Sequence, residues 1–377
     1  MRYKKMHFIF FMLLLSFCLT GCWDKRNMED RSYVITMGVD KYQGDERQRY
    51  SVSLGSAKIS ELSDEPKQEG DISSIQVQGN TLAEAIHKAD CFHSRKMYLG
   101  QLKTVIFGQD LLEDKELFLS ALDELERNPD ISEKVILLSC KGNAIDGIEL
   151  ILKQDTSTGL FIWDFFKNSV QDIAVTEKLD LETFLMELRN SNGQGVIPQI
   201  HFADNRIRFG GGTALADYAF CGYLSDEEER GLQFLKEQGK GAVYSGYWDN
   251  TVIPLSVIKN KCKYTFEERD DKILCTIDVK VKGSIDGKGF FAQDTLNEDT
   301  IKQLENLFGQ IIKTEIENTI TLAQQEYQKD ILDISSKLYQ KDPNLYQKYG
   351  NDINKCFQAM EFDVNVPISI RIMGVIQ

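Results

Sequence analysis

The first 21 residues decide which part of this chain folds, and where. Arg2, Lys4 and Lys5 precede an uncharged apolar run from Phe8 to Phe17, which leads into Leu19-Thr20-Gly21-Cys22. A basic n-region, an apolar h-region and small residues at the cleavage point are the plan of a secretory signal. Small residues directly before a cysteine resemble a bacterial lipobox, in which the Cys22 thiol receives diacylglycerol and cleavage leaves Cys22 as the acylated first residue. The run is far shorter than the roughly 20 apolar residues that span a bilayer, so an uncleaved anchor is disfavoured. The folding polypeptide is expected to start at Cys22 and to be exported. One acyl chain binds a membrane only marginally, whereas two or three hold a protein stably.

Charge gives that anchor no help. The net charge of −14 becomes −17 once Arg2, Lys4 and Lys5 leave with residues 1–21. An acidic body is repelled by anionic head groups and by nucleic acid, so nucleic-acid binding is excluded and the acyl chains must hold the protein. The remaining length suits two or three domains. With 42% hydrophobic residues, six prolines and no low-complexity tract, these are packed domains rather than a disordered chain.

An exported chain with Cys91, Cys140, Cys221, Cys262, Cys275 and Cys356 invites a search for disulfides. The hairpin read over Lys261–Glu267 and Lys272–Val281 tests one pair. Alternation puts Cys262, Tyr264 and Phe266 on the same face as Ile273, Cys275, Ile277 and Val279. A two-residue Asp270-Asp271 turn then sets Cys262 opposite Val279, too far from Cys275 for a bridge. Buried thiols are expected.

Along the chain, Tyr33–Val39 reads as a strand with Tyr50–Leu54 as its hairpin partner, Ser60–Gly70 as a loop and Ile72–Val77 as a further strand. Thr81 and Glu84 form a capping box for a helix carrying Leu82, Ile86 and Ala89. Tyr98–Phe107 is extended. Asp114 caps a helix ended by Asn128-Pro129, Val135–Leu138 is a buried strand, and Ile145–Leu152 is a short helix. Gly159–Val170 and Leu181–Leu188 are helical, and Gly193-Gln194-Gly195 breaks the chain before the strand Val196–Phe202. Ser225 and Glu228 make a second capping box. Thr300 to Tyr339 is the longest helical stretch, with Ile301, Leu304, Phe308, Ile311, Glu315 and Ile316 at the 3.6 period. Unbroken it would reach about 60 Å, so a break is expected. Last comes a strand in which Phe362, Val364, Val366, Ile368, Ile370 and Ile372 alternate with polar residues, and Pro367 requires an edge position or a bulge. Irregular alternation of strands and helices makes the class α+β, with mixed and antiparallel sheets and the long C-terminal helix packed on one of them.

Three patterns could carry chemistry. His87, Cys91 and His93 have H-x3-C-x-H spacing, but no fourth zinc ligand is evident and His93 falls off the shared helix face, so packing roles are preferred. Gly210-Gly211-Gly212-Thr213 lacks the lysine and spacing of a phosphate loop; a bulge or close backbone approach suits it better. The run Asp226-Glu227-Glu228-Glu229 suits a helix N-terminus. No nucleophile elbow, metalloprotease pair or dinucleotide fingerprint is present. No catalytic, cofactor-binding or metal residue is assigned.

The segments together resemble one family. Gly21-Cys22-Trp23-Asp24 followed by Val34–Asp40 is similar to the opening of the Ger(x)C family, the lipoprotein C subunits of spore germinant receptors. So are Phe209–Thr213, Cys221–Ser225, the block Glu228-Glu229-Arg230-Gly231-Leu232-Gln233-Phe234-Leu235-Lys236, and the closing strand Val364–Gly374. The resemblance implies a three-domain α+β lipoprotein: signal peptide 1–21, N-terminal domain 22–178, middle domain 179–258 and C-terminal domain 259–377. It implies lipidation at Cys22, with a palmitate or other acyl chain beside the diacylglycerol, on the outer face of the spore inner membrane. It also implies assembly with integral-membrane A and B subunits, B resembling an amino-acid transporter, into a receptor for nutrient germinants. The implied role is non-enzymatic, with no cofactor. The alternative is a solute-binding lipoprotein of a transporter.

Overall fold

The structure is a computed structural model. It describes residues 31–44, 48–57, 73–92, 95–154, 160–168, 174, 176–203, 206–249, 251–286 and 297–373. Cys22, the expected loop at 60–70 and His93 lie outside the described residues.

Two sheets organise the chain. Among the described residues the first has nine strands: β1 (Arg31–Lys41), β2 (Tyr50–Ala57), β3 (Ser73–Gly79), β4 (Lys96–Tyr98), β5 (Thr104–Phe107), β6 (Ile136–Ser139), β7 (Gly195–Ala203), β8 (Arg206–Ala216) and β9 (Ala219–Leu224). Its order is β3-β2-β1-β5-β6-β7-β8-β9, with β4 beside the start of β1. The outer strands are antiparallel hairpins, whereas β1, β5, β6 and β7 run parallel. The short central strands β5 and β6 are buried throughout, as parallel strands covered on both faces must be.

One cover is made by α1 (Leu82–Asp90), α2 (Gln109–Glu113), α3 (Lys115–Arg127) and α6 (Leu181–Asn190). The other is α4 (Ala144–Gln154) with α5 (Phe161–Asn168). Thr81 caps α1 by accepting from Glu84 N at 3.0 Å, but the Glu84 carboxylate accepts from Asn80 N instead of the cap residue, so the box is half closed. Tyr98–Phe107 is not one extended run: a tight turn at Leu99–Gln101 splits it into β4 and β5. Both lie parallel to β1 along the same edge, and the turn loops out of line between them.

The second sheet has the order β10-β11-β12-β13, with β14 also on β12. It comprises β10 (Val243–Trp248), β11 (Thr251–Arg269), β12 (Lys272–Asp286), β13 (Met360–Asn365) and β14 (Ile368–Met373). Asp270 and Asp271 have φ of 51° and 58°, the left-handed pair that a two-residue hairpin turn needs. Cys262 stands opposite Val279 and Phe266 opposite Cys275, and all six described cysteines are free thiols. The expected last strand is β13 followed by β14, both parallel to β12 in a continuous register at the sheet edge. Only the pairing around Pro367 is interrupted, because proline has no N–H to donate; its carbonyl still accepts from Val281 N at 3.0 Å.

Between the two sheets run α7 (Asp226–Leu235) and α8 (Glu298–Thr321). The expected break in the long helix comes at Leu322–Tyr327, where α8 widens into a π turn and ends on Gln328 in the left-handed region. Then α9 (Ile334–Lys341), α10 (Pro343–Lys348) and α11 (Ile353–Gln358) cover the second core. Among the described residues no helix is long and apolar enough to cross a membrane.

Candidate functional site

The block Glu228–Lys236 lies on α7, and its side chains reach into both halves of the molecule. Ser225 and Glu228 close a full capping box, Glu228 N donating to Ser225 Oγ at 3.2 Å and Ser225 N to Glu228 Oε2 at 2.7 Å. Asp226 pairs with Arg208 of β8. The acidic run is therefore a helix N-terminus, as its position suggests. Glu229 departs from that reading: it turns inward and is completely buried.

Room for it comes from the glycine stretch. Gly211 has φ of 69°, and the pairing of β7 with β8 slips between Pro198 and Ile200, so the stretch is the expected bulge. A Cβ on Gly212 would sit 2.8 Å from Glu229 Oε2 and 2.6 Å from Val196 Cγ1. Glu229 Oε1 accepts from Gln233 Nε2 at 2.8 Å, whereas Oε2 has no partner among the described residues. Burial, reinforced by the charge of Glu177, pushes its carboxyl up to about 8.

One face of α7 grips α8. Arg230 makes a forked pair with Glu315, its Nε 3.2 and 3.1 Å from the two carboxylate oxygens. Tyr244 of β10 donates to the same carboxylate at 2.5 Å. The Arg230 guanidinium also lies 5.2 Å from the Tyr244 ring centre. Gly231 lets the helices approach, since a Cβ there would fall 2.1 Å from Thr319 Oγ1 and 2.9 Å from Glu315 O. Thr319 Oγ1 in turn donates to Glu228 O at 3.0 Å.

At the far end Lys236 turns back to the first half. Its Nζ is 2.6 Å from Glu177 and 3.8 Å from Glu187 at the end of α6. Burial opposes its charge, but Glu177 and Glu187 outweigh that and raise its pKa. The last carbonyls of α7 are taken by the second sheet: Asn260 Nδ2 donates to Phe234 O at 2.8 Å and Tyr264 to Leu235 O at 3.1 Å. A cavity of about 590 Å³ opens beside Lys236, walled by Glu187, Gln194, Tyr264, Asp333 and Lys337.

A second clasp joins the halves at the β8–β9 turn. Asp217 meets Lys329 at 2.5 Å and Asn354 at 3.4 Å, and Tyr327 of the π turn donates to Tyr223 O at 2.7 Å. Chemically the junction fastens two bodies together through paired charges and close helix contact. Among the described residues no group of three or more metal-binding side chains is assembled. His87 and Cys91 sit exposed at the end of α1.

Sequence reasoning missed Glu177, Glu187 and Asp217, whose spacing from their partners carries no local pattern. Glu315 did leave a signal, a carboxylate within the apolar period of the long helix.

Comparison with known proteins shows where this arrangement belongs. Residues 24–202 match the family described as "Spore germination protein N-terminal domain", and residues 211–374 match "Spore germination B3/ GerAC like, C-terminal". The chain belongs to the Ger(x)C family. It is 20% identical to spore germination protein B3 of Bacillus subtilis (strain 168) over 391 residues, covering 99% of this chain and 98% of that protein. Spore germination protein KC of the same organism is 21% identical, with 96% and 94% covered. In fold the chain is similar to the crystal structure of the GerBC protein, at a TM-score of 0.59 and 17% identity over 89% of this chain and 97% of that one. In this Ger(x)C chain the central block lies at the junction between the two matched regions, with side chains that reach both.

Proposed function

We propose that this Ger(x)C protein is a non-enzymatic C subunit of a nutrient germinant receptor, held by acylated Cys22 on the outer face of the spore inner membrane and assembled with the A and B membrane subunits. Its work is mechanical: it gives the complex a body whose two sheets are locked together by α7. The observation that carries this reading is the ionic junction Arg230–Glu315 and Lys236–Glu177, which spends the charged residues of the central block on holding structure rather than presenting them to a substrate. A solute-binding role draws support from the 590 Å³ cavity beside Lys236. It takes second place because Lys236 and Tyr264 in that wall are already engaged with Glu177 and Leu235 O.

Affinity purification of the full chain from solubilised spore membranes tests the proposal, with a transporter-like and a second multi-span subunit expected to co-purify. Cys22→Ala is expected to abolish acyl labelling. Recovery of the wild-type chain alone, or with a substrate-import permease in place of receptor subunits, would refute the reading.

A further inference from the structure

Net charge describes the whole chain, and the second sheet departs from it locally. Its inner face packs against α8 and the C-terminal helices; its outer face carries the exposed residues of β11 and β12. There the register sets Lys259 opposite Lys282 and Lys261 opposite Lys280, while Lys263 faces Asp278 and Arg371 lies across from Ser284. Like charges directly opposite on neighbouring strands destabilise a sheet. No ion pair joins Lys259, Lys261, Lys263, Lys280, Lys282 or Arg371 to another described residue. Asp278 is the one carboxylate among the described residues on these rows. Six cations with no ion pair to a described residue thus share this face of a chain with an overall charge of −14, while Glu267, Glu361 and Asp363 stand on it beyond Asp278.

Next to them, on the same face, large apolar side chains stand in solvent: Val243 at 61% exposure and Tyr247 at 79% on β10, Val252 at 44% and Ile258 at 41% on β11. Tyr247 lies directly opposite Val252. The slip in pairing between Val257 and Lys259 brings Ile258 and Lys259 together where the apolar and basic areas meet. Basic residues beside exposed aromatic and aliphatic ones are the composition of a surface that rests in a lipid interface, the cations at the phosphates and the apolar groups at the acyl boundary.

We propose that this outer face lies on the anionic surface of the bilayer. The proposal rests on the Cys22 anchor of the proposed function, which keeps the chain at the bilayer. Favourable contact arises from the face itself. The like-charge rows Lys259–Lys282 and Lys261–Lys280 are relieved when phosphates intercalate between them, a role that Asp278 plays only opposite Lys263.

The full chain, lipidated at Cys22, is incorporated into vesicles of phosphatidylglycerol with phosphatidylcholine, or of phosphatidylcholine alone, and its lysines are acetylated and read by mass spectrometry. Lys261, Lys280 and Lys282 are expected to react at least threefold more slowly on the anionic vesicles, and to recover at high salt. Lys167 and Lys355 should react equally on both. The variant Lys280→Glu/Lys282→Glu, changed only at exposed positions, should lose the protection at Lys261. Equal reactivity on both vesicles overturns the proposal. So does protection that arises only when the membrane subunits are co-reconstituted, which would assign the face to an acidic protein surface. A chain that associates with neither vesicle overturns both the anchor and the face. One that binds only anionic vesicles, without acyl label, overturns the anchor and keeps the face.

Discussion

Replacing Glu229 by glutamine isolates the energetic consequence of burying a carboxyl between the two sheets. In the folded chain this group keeps its proton up to about pH 8, against an ordinary value of 4.5. Between those values the native state binds more protons than the unfolded state, so its stability falls as pH rises. The slope is about 1.4 kcal/mol per pH unit, giving roughly 3 kcal/mol lost by neutral pH and 4–5 kcal/mol by the top of the window. Glutamine keeps the shape and the acceptor for Gln233 but cannot ionise. Its new N–H group lands where Glu229 Oε2 has no partner, at a pH-independent cost of about 1–3 kcal/mol. Asp40 and Asp330, both raised to about 6 by burial, contribute equally to both proteins and cancel in the difference. Urea unfolding of the chain from residue 23, followed across about pH 5 to 8, should show the difference moving by roughly 3–4 kcal/mol in favour of Glu229→Gln. Parallel stability profiles would mean that Glu229 is hydrated or paired, and the argument for its burial would fail.

Breaking the Arg230–Glu315 pair from one side strands a largely buried charge. Arg230→Met or Glu315→Leu alone should cost about 3–5 kcal/mol in chemical unfolding, and the double substitution much less than their sum. Gly231→Ala places a methyl group against Thr319 and Glu315 O; a loss of about 1–3 kcal/mol is expected, part of it recovered by adding Thr319→Ala, whereas a neutral Gly231→Ala would show that the helices are not in close contact. On the last strand, Ile370→Asp should unfold the second core while Ser369→Asp is tolerated, because alternate residues face opposite sides of the sheet; equal thermal melts would reverse the assigned facing.

Local chemistry was legible wherever partners lie close in sequence. Asp270-Asp271 fixed the register of the long hairpin and so excluded a Cys262–Cys275 bridge, and Ser225 with Glu228 announced α7. Gly210–Gly212 announced a bulge because no side chain was offered there. Alternation from Phe362 to Ile372 gave the facing of β13 and β14, although Pro367 divides them. What stayed hidden is long-range. Asp40, 104 residues away, accepts from Ala144 N at 2.8 Å and caps α4, while Lys236 finds Glu177 at a separation of 59. Periodicity reports which face of an element is buried, not which element buries it. The family resemblance reached the central block from its residue pattern alone. Only the packing explains why Glu229 belongs in it: the acidic run suggested a solvated helix end, and the space beside Gly212 took one member of the run inside.

The parallel core of the first sheet carries a mechanical consequence. β6 and β7 are joined by one residue pair, Ser139 with Gln199, whereas the flanking ladders are several rungs long. Ser139 Oγ adds a cross-bolt by donating toward Pro198 O at 3.2 Å and accepting from Thr213 Oγ1 at 2.8 Å. Shear along the strands meets least resistance at this seam, since fewest backbone hydrogen bonds must be given up there. The plate formed by β7, β8 and β9 is therefore the part of the first sheet that can tilt as a rigid leaf. It would take with it the Gly212 notch that seats Glu229, and with Glu229 the whole of α7.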